Sequence, residues 1–259
     1  MSSTIMQNEV NRSNMGFSAS IQHLIQNLSS QSQLTPELLR KLVLQANIQP
    51  ADLTPWIDYE HPITDSYGRK LVYDGGHFEI MVMSWNVGDF SAIHDHGYTQ
   101  WGAVQIFGNA THITYALENN ILTTKEIIAV QPHQVLAVNH DLIHQMGNPS
   151  DETFLSLHVY GCNDRHGEIT SDARIFDLWE NSIQYTNGGV FFCLPESQIS
   201  QRQSGLVGDT LTTLRHHQQM LARIEMILAN SNKYADQWQQ KAKHIKNKIK
   251  ELRIINDLN

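Results

Sequence analysis

Arg69-Lys70-Leu71-Val72-Tyr73, Asp74-Gly75-Gly76 and Phe78-Glu79-Ile80-Met81-Val82-Met83-Ser84-Trp85 read in order as strand, tight turn and strand. Glycine reaches the positive φ angles that a short hairpin connection demands, so Asp74-Gly75-Gly76 is a strong turn signal. From Asp65 to Cys193 the same pattern of short alternating runs continues. It covers Ser91 to His96, Trp101 to Phe107, Thr111 to Ala116, Lys125 to Ala129, Gln134 to Val138 and Thr153 to Tyr160. Eight such strands predict a mainly β fold, an antiparallel barrel of jelly-roll type.

The flanks of this region change period. Between Ser18 and Ala51, Ile21, Leu24, Ile25 and Leu28 form one helical stripe, and Leu39, Leu42, Val43 and Ala46 form a second. Thr35-Pro36-Glu37 supplies a cap and a first-turn proline for the second helix. Beyond Gly208, Asp209 can cap a helix carrying Leu211, Leu214, Leu221, Ile224 and Leu228. Another helix carries Trp238, Ala242, Ile245, Ile249 and Leu252. Asn230-Ser231-Asn232 would join the two as a hairpin that packs on the barrel or on a second subunit, leaving Lys241, Lys243, Lys246, Lys248 and Lys250 as a solvated face. The expected organisation is a disordered leader over 1–17, a helical segment over 18–64 packed on the barrel, the barrel over 65–195 and the helical hairpin over 196–259.

Composition narrows the function classes. No stretch of the 259 residues approaches the roughly 18–20 apolar residues that span a bilayer, and the polar start Met1 to Phe17 does not resemble a secretory signal. Two cysteines, Cys162 and Cys193, suit a reducing compartment, so a cytoplasmic protein is expected. A net charge of −8 opposes binding to nucleic acid.

Chemistry is concentrated in three places. In His94-Asp95-His96 strand alternation turns both imidazoles to one face, and His144 in Asn139-His140-Asp141-Leu142-Ile143-His144 offers a third nitrogen. Three imidazoles leave open positions on a divalent metal, as a catalytic site requires. His77, His112, His133, His140 and His166 lack such a partnership and read as surface or structural. In Ser156-Leu157-His158-Val159-Tyr160 the same alternation gathers Ser156, His158 and Tyr160 on one polar face, where they can form a hydrogen-bonded chain. Tyr67-Gly68-Arg69 precedes the first hairpin, and an arginine turned inward needs an anion, for which a substrate carboxylate would serve.

These segments together resemble the thiol dioxygenases of the cupin superfamily, above all the cysteine dioxygenase family. The resemblance rests on Gly88, His94-x-His96 and Gly108, on His144 with Asn148, on Tyr67-x-Arg69, on Trp85 nine residues ahead of His94, and on Ser156-x-His158-x-Tyr160. It runs from about Ser18 to Tyr160. It implies a cupin barrel in which His94, His96 and His144 bind Fe(II). Arg69 and Tyr67 would hold a substrate carboxylate, with Trp85 and Trp101 also lining the substrate pocket. Tyr160, supported by His158 and Ser156, would face a thiolate that dioxygen converts to a sulfinate. The expected partners are a small thiol and O2, with no nucleic acid or membrane, and a homo-oligomer through the C-terminal helices.

Three departures bear on the substrate. Where mammalian members carry a cysteine that becomes linked to the active-site tyrosine, this chain has Trp101 or, with a slip of one residue, Gly102, so Tyr160 is expected to be unmodified. Gly161-Cys162-Asn163 replaces a Ser-Pro-Pro run and is similar to enzymes acting on 3-mercaptopropionate, although those typically carry glutamine in place of Arg69. The helical tail has no counterpart in the family core. Cysteine is the first expected substrate, 3-mercaptopropionate or a larger thiol the alternative, and a non-catalytic small-molecule-binding cupin the alternative of another class.

Overall fold

Helical signals at the flanks and strand signals between them are realised in the computed structural model, which describes residues 16–164, 167–230 and 235–257. Helix α1 (Ala19–Ser29) starts at Ser18, whose hydroxyl accepts from the Ile21 amide. Helix α2 (Pro36–Ala46) starts at Thr35, whose side chain accepts from Leu38, and it ends where Asn47 turns left-handed. Capping of this kind satisfies amides that the first turn leaves unpaired. The buried stripes of both helices pack against Trp101, Ala103, Leu155, Leu157 and Val159. Of the leader expected over 1–17, residues 1–15 lie outside the described residues. Phe17 stacks on Trp56 at 5.8 Å between ring centres, so it belongs to the folded body.

The barrel strands are β1 (Gly68–Asp74), β2 (Phe78–Trp85), β3 (Trp101–Ile106), β4 (Ala110–Glu118), β5 (Ile121–Val130), β6 (Val135–Asn139), β7 (Ile143–Gly147) and β8 (Phe154–Gly161). Four more follow: β9 (Ala173–Asp177), β10 (Ser182–Thr186), β11 (Gln201–Ser204) and β12 (Val207–Gly208). One sheet runs β1-β2-β8-β3-β6, another β12-β5-β4-β7, and β11-β10-β9 form a third. Met81, Met83, Val104 and Tyr160 of the first sheet share a core with Ala110, Val130 and Met146 of the second and with Ala173 and Ile175 of the third. The expected mainly β barrel with helices at both ends is the architecture observed.

Two differences from the sequence reading concern the segments that carry the three histidines. Ser91 to His96 is not a ladder strand but makes isolated bridges, His94 to both His144 and Ile175. Strand β7 was not expected, since all five of its residues are buried and two of them are polar. In β7 the polar His144 and Gln145 stand side by side, so its sequence shows no alternation to read.

Helices α3 (Thr210–Asn230) and α4 (Ala235–Asp257) form the C-terminal pair. Asp209 caps α3 by accepting from the Thr212 amide at 2.8 Å. The buried face of α3 is Thr212, His216, His217, Met220, Arg223, Ile224 and Ile227, whereas Leu211 is 55% exposed. The expected leucine stripe is therefore rotated, because the polar members of the true face have partners on the barrel. Thr212 Oγ1 accepts from the Thr124 amide at 2.9 Å. Arg223 donates to Asp89 at 3.0 Å and to the carbonyls of Ile63 and Asp65. Ala242, Ile245 and Ile249 of α4 close this cluster with Met220, Ile224 and Phe192. Ser231 and Asn232 of the expected connection lie outside the described residues. No helix among the described residues is long and apolar enough to cross a membrane.

Candidate active site

Backbone bonds fix His94 and the residue after it from two sides. His94 and His144 exchange amide–carbonyl bonds of 2.9 Å each, while the Asp95 amide donates to the Arg174 carbonyl at 3.0 Å. The Asp95 carboxylate, between the two histidines in sequence, receives the Arg174 amide at 2.8 Å and its Nε at 2.5 Å. Held this way, His94, His96 and His144 place one ring nitrogen each within 4.8 Å of one another.

The outer nitrogens show which inner ones remain. His94 Nδ1 lies 2.8 Å from the Ala92 carbonyl and must donate to it, which leaves its Nε2 as a bare lone pair. His144 Nδ1 lies 2.7 Å from His112 Nε2, and His144 Nε2 lies 3.1 Å from His96 Nε2. Burial lowers His94 to about 4 and holds His96 and His144 well below the ordinary imidazole value, so all three are neutral at pH 7. Neutral imidazole is the ligand form. Two nitrogens at metal–imidazole bond lengths of about 2.1 Å and at right angles would stand about 3.0 Å apart, close to the separation of the His96 and His144 nitrogens. The donor set fits a divalent transition metal with open positions.

A second polar line runs across β8. Trp85 Nε1 donates to Ser156 Oγ at 2.8 Å, Ser156 Oγ meets His158 Nε2 at 2.7 Å, and His158 Nδ1 meets the Tyr160 hydroxyl at 2.8 Å. Indole is a donor only, so Ser156 accepts from Trp85 and has its own proton to give to His158. Burial lowers His158 to about 3, so this ring is neutral with one N–H, which then sits on Nδ1 and points at the tyrosine oxygen. The Tyr160 proton is left to point elsewhere. Burial also raises the Tyr160 hydroxyl far above its ordinary value, keeping it protonated.

Both lines open on one cavity, with about 40 Å³ accessible to the centre of a water molecule, walled by the three histidines, His158, Tyr160, Tyr67, Arg69 and Trp85 together with Met81, Met83 and Met146. Arg69 is half-buried and donates to Thr170 Oγ1 at 3.3 Å. Tyr67 is buried, stacks on Trp85 at 4.8 Å and accepts the Val190 amide at 3.2 Å. The structure thus brings nine of the ten sequence-derived site residues to this region, with Ser156 behind His158.

Trp101 is the exception and corrects that reading. It lies in the outer core against α1 and α2, and its indole donates to Asn163 at 2.9 Å. Neighbouring strand residues face opposite sides, and it is Gly102 that pairs with Tyr160. A Cβ on Gly102 would lie 2.8 Å from the Tyr160 ring, so this glycine makes room for the tyrosine.

Several residues that contact the candidate site were missed. His112, read as surface or structural, is buried against His144. Strand parity could have found it, since His112 stands in β4 two residues from Thr114, the partner of His144. Thr170, Arg174 and Val190 come from irregular sequence with no pattern of its own. Of the other histidines, His140 meets the Thr99 carbonyl and His133 packs on Phe107. His166 lies outside the described residues.

A β barrel enclosing a buried cluster of three histidines that could hold a metal ion is an architecture of cupin type. The family model described as cysteine dioxygenase type I matches residues 6–163, and the chain belongs to that family. Among curated relatives, human cysteine dioxygenase type 1 is 29% identical over 116 residues, 42% of this chain and 58% of the relative, and the protein of that name from Pongo abelii matches to the same extent. The chain thus spans just over half the length of these relatives. Solved structures with partial likeness include a protein from Klebsiella pneumoniae with a double-stranded β-helix domain. It is 13% identical with a TM-score of 0.35, over 46% of this chain and 92% of that one. A cupin-2 domain from Rhodospirillum rubrum is 19% identical with a TM-score of 0.32, over 42% of this chain and 68% of that one.

Proposed function

We propose that this chain is an Fe(II)-dependent thiol dioxygenase that converts L-cysteine to cysteine sulfinate. The observation that carries the reading is the meeting, in one small cavity, of three neutral imidazoles, a hydrogen-bonded tyrosine and an arginine. His94, His96 and His144 would hold the iron. Bound there, the metal supplies a coordination sphere in which a thiolate and dioxygen can meet.

The remaining steps belong to the chain's own residues. Arg69 presents its planar fork to the substrate carboxylate, and Tyr67 adds a hydroxyl beside it. Trp85, Ser156 and His158 fix the Tyr160 oxygen so that its proton is directed away from His158, available to oxygen or sulfur in the cavity. Apolar walls of Met81, Met83 and Met146 limit water around the reacting atoms. Thiol plus O2 gives sulfinic acid with both oxygen atoms on sulfur, so no external reductant is consumed. About 40 Å³ is room for a few water-sized groups. That favours a short thiol over a peptide-sized one.

A second reading, 3-mercaptopropionate as substrate, is supported by Gly161-Cys162-Asn163 after Tyr160. A non-catalytic binding cupin would have no use for a polarised Trp85–Ser156–His158–Tyr160 chain. The test is oxygen uptake by iron-loaded protein with cysteine, 3-mercaptopropionate and cysteamine supplied separately and in competition. Cysteine is expected to give one sulfinate per O2 at the highest kcat/KM. Preference for 3-mercaptopropionate would replace the substrate, and uptake with none of them would end the enzymatic reading.

A further inference from the structure

The three ligand histidines differ in what stands behind them. His94 donates to a backbone carbonyl, His144 meets the imidazole of His112, and His96 Nδ1 is buried without a hydrogen-bond partner among the described residues. Of these outer contacts, only that of His144 comes from another side chain. His112 is 7% exposed and is not part of the cavity wall, so it does not reach substrate.

Its position is set by the sheet. Strands β4 and β7 pair Thr114 with His144 and His112 with Met146, which makes His112 and His144 diagonal neighbours on one face. The bond between them is short, 2.7 Å from Nε2 to Nδ1. For His144 Nε2 to present a lone pair inward, its single proton must sit on Nδ1 and be donated outward. His112 Nε2 is then the acceptor, and the His112 proton sits on its Nδ1. Protein sites commonly back a ligand imidazole with a carboxylate, a carbonyl or water, and the stronger the acceptor the more electron density the ligand gives the metal. A neutral imidazole is a weaker acceptor than a carboxylate.

We infer that His112 is a positioning residue for the metal centre, selecting the His144 tautomer that binds metal and, as a neutral acceptor, favouring the divalent state of the ion. This rests on the reading of His94, His96 and His144 as metal ligands, and not on which thiol is oxidised.

The test uses the full chain and three variants, with anaerobic Fe(II) and, in parallel, Co(II) titrated against a chelator of known affinity. In His112→Leu the metal should bind roughly 10- to 100-fold more weakly, the usual effect of losing such a partner. In His112→Gln, whose amide oxygen can accept the same proton, most of the affinity should return. In His112→Glu the midpoint potential of the bound iron should fall below that of the wild type, because a carboxylate acceptor stabilises the oxidised ion. Equal affinity in wild type and His112→Leu, or an unchanged potential in His112→Glu, would overturn the assignment while leaving the metal site intact. A wild-type chain that binds neither metal would overturn the metal reading itself, and this inference with it.

Discussion

The segment matched by the family and the segment that follows it contribute different things to one site. Residues up to 163 carry the three histidines, Arg69, Tyr67 and the chain from Trp85 to Tyr160. Residues beyond carry almost none of the reactive groups, yet they enclose them. Ile175 bridges to His94, Arg174 clamps Asp95, Val190 caps Tyr67, and Thr170 holds Arg69. Arg223, farther still, bonds Asp89 just after Gly88, at the start of the loop that leads to His94. Chemistry can thus be written in short motifs while the rigidity it needs comes from sequence with no motif.

The largest expected effect tests whether the tail is structural in this sense. Arg223 and Asp89 are both nearly inaccessible, so Arg223→Met removes the arginine from a buried carboxylate that keeps only the Asn86 amide and His61 as partners. The expected cost is about 3–5 kcal/mol, a fall in Tm on the order of 10 °C by calorimetry, with Asp89→Asn in the same chain recovering part of it. A Tm within a degree or two of wild type would make the tail an appendage. On the other side of the comparison, Tyr160→Phe removes one hydroxyl from the matched half, and with it the acceptor for His158 Nδ1, and nothing from the enclosure. It should lower kcat about 100-fold with little change in KM.

Smaller effects sharpen the boundary between the halves. Thr170 accepts from Arg69 and donates to Glu79 at 3.1 Å, so a residue outside the family match orients the arginine proposed to bind the substrate carboxylate. Thr170→Val should raise KM for cysteine about fivefold, the worth of one hydrogen bond of about 1 kcal/mol, and leave cysteamine, which has no carboxylate, unaffected. Equal effects on both thiols would remove the link to Arg69. The smallest concerns His61, which lies 3.3 Å from Asp89. Burial works against its protonation, but the hydrogen bonds to Asp89 and to the Pro62 carbonyl outweigh it and hold the pKa above the usual imidazole value. A raised folded-state pKa contributes stability that is complete below about pH 6.5 and is lost as pH rises through the folded value. Wild-type Tm should therefore decline slightly on going from pH 6 to pH 8, and His61→Gln should flatten that decline.

How much of this was legible follows the same division. The hairpin at Asp74-Gly75-Gly76, the helix starts at Thr35 and Asp209 and the polar face of Ser156, His158 and Tyr160 were readable because each is a local rule with a local signal. Strand β7 was not, because polar His144 and Gln145 stand side by side in it and leave no alternation. The rotated face of α3 was not, because His216, His217 and Arg223 look like solvent residues until their partners are known. Trp101 was misplaced through parity alone, a single step along β3 that separates the cavity from the outer core. His112 was passed over because its partner is 32 residues away.

The central claim is that His94, His96 and His144 share one cation. Anomalous diffraction from crystals of the iron-loaded chain tests it most directly. One iron peak is expected per chain, within about 2.0–2.3 Å of Nε2 of all three rings, and absent in His144→Ala. A peak elsewhere, or iron bound equally well by His144→Ala, would contradict the account.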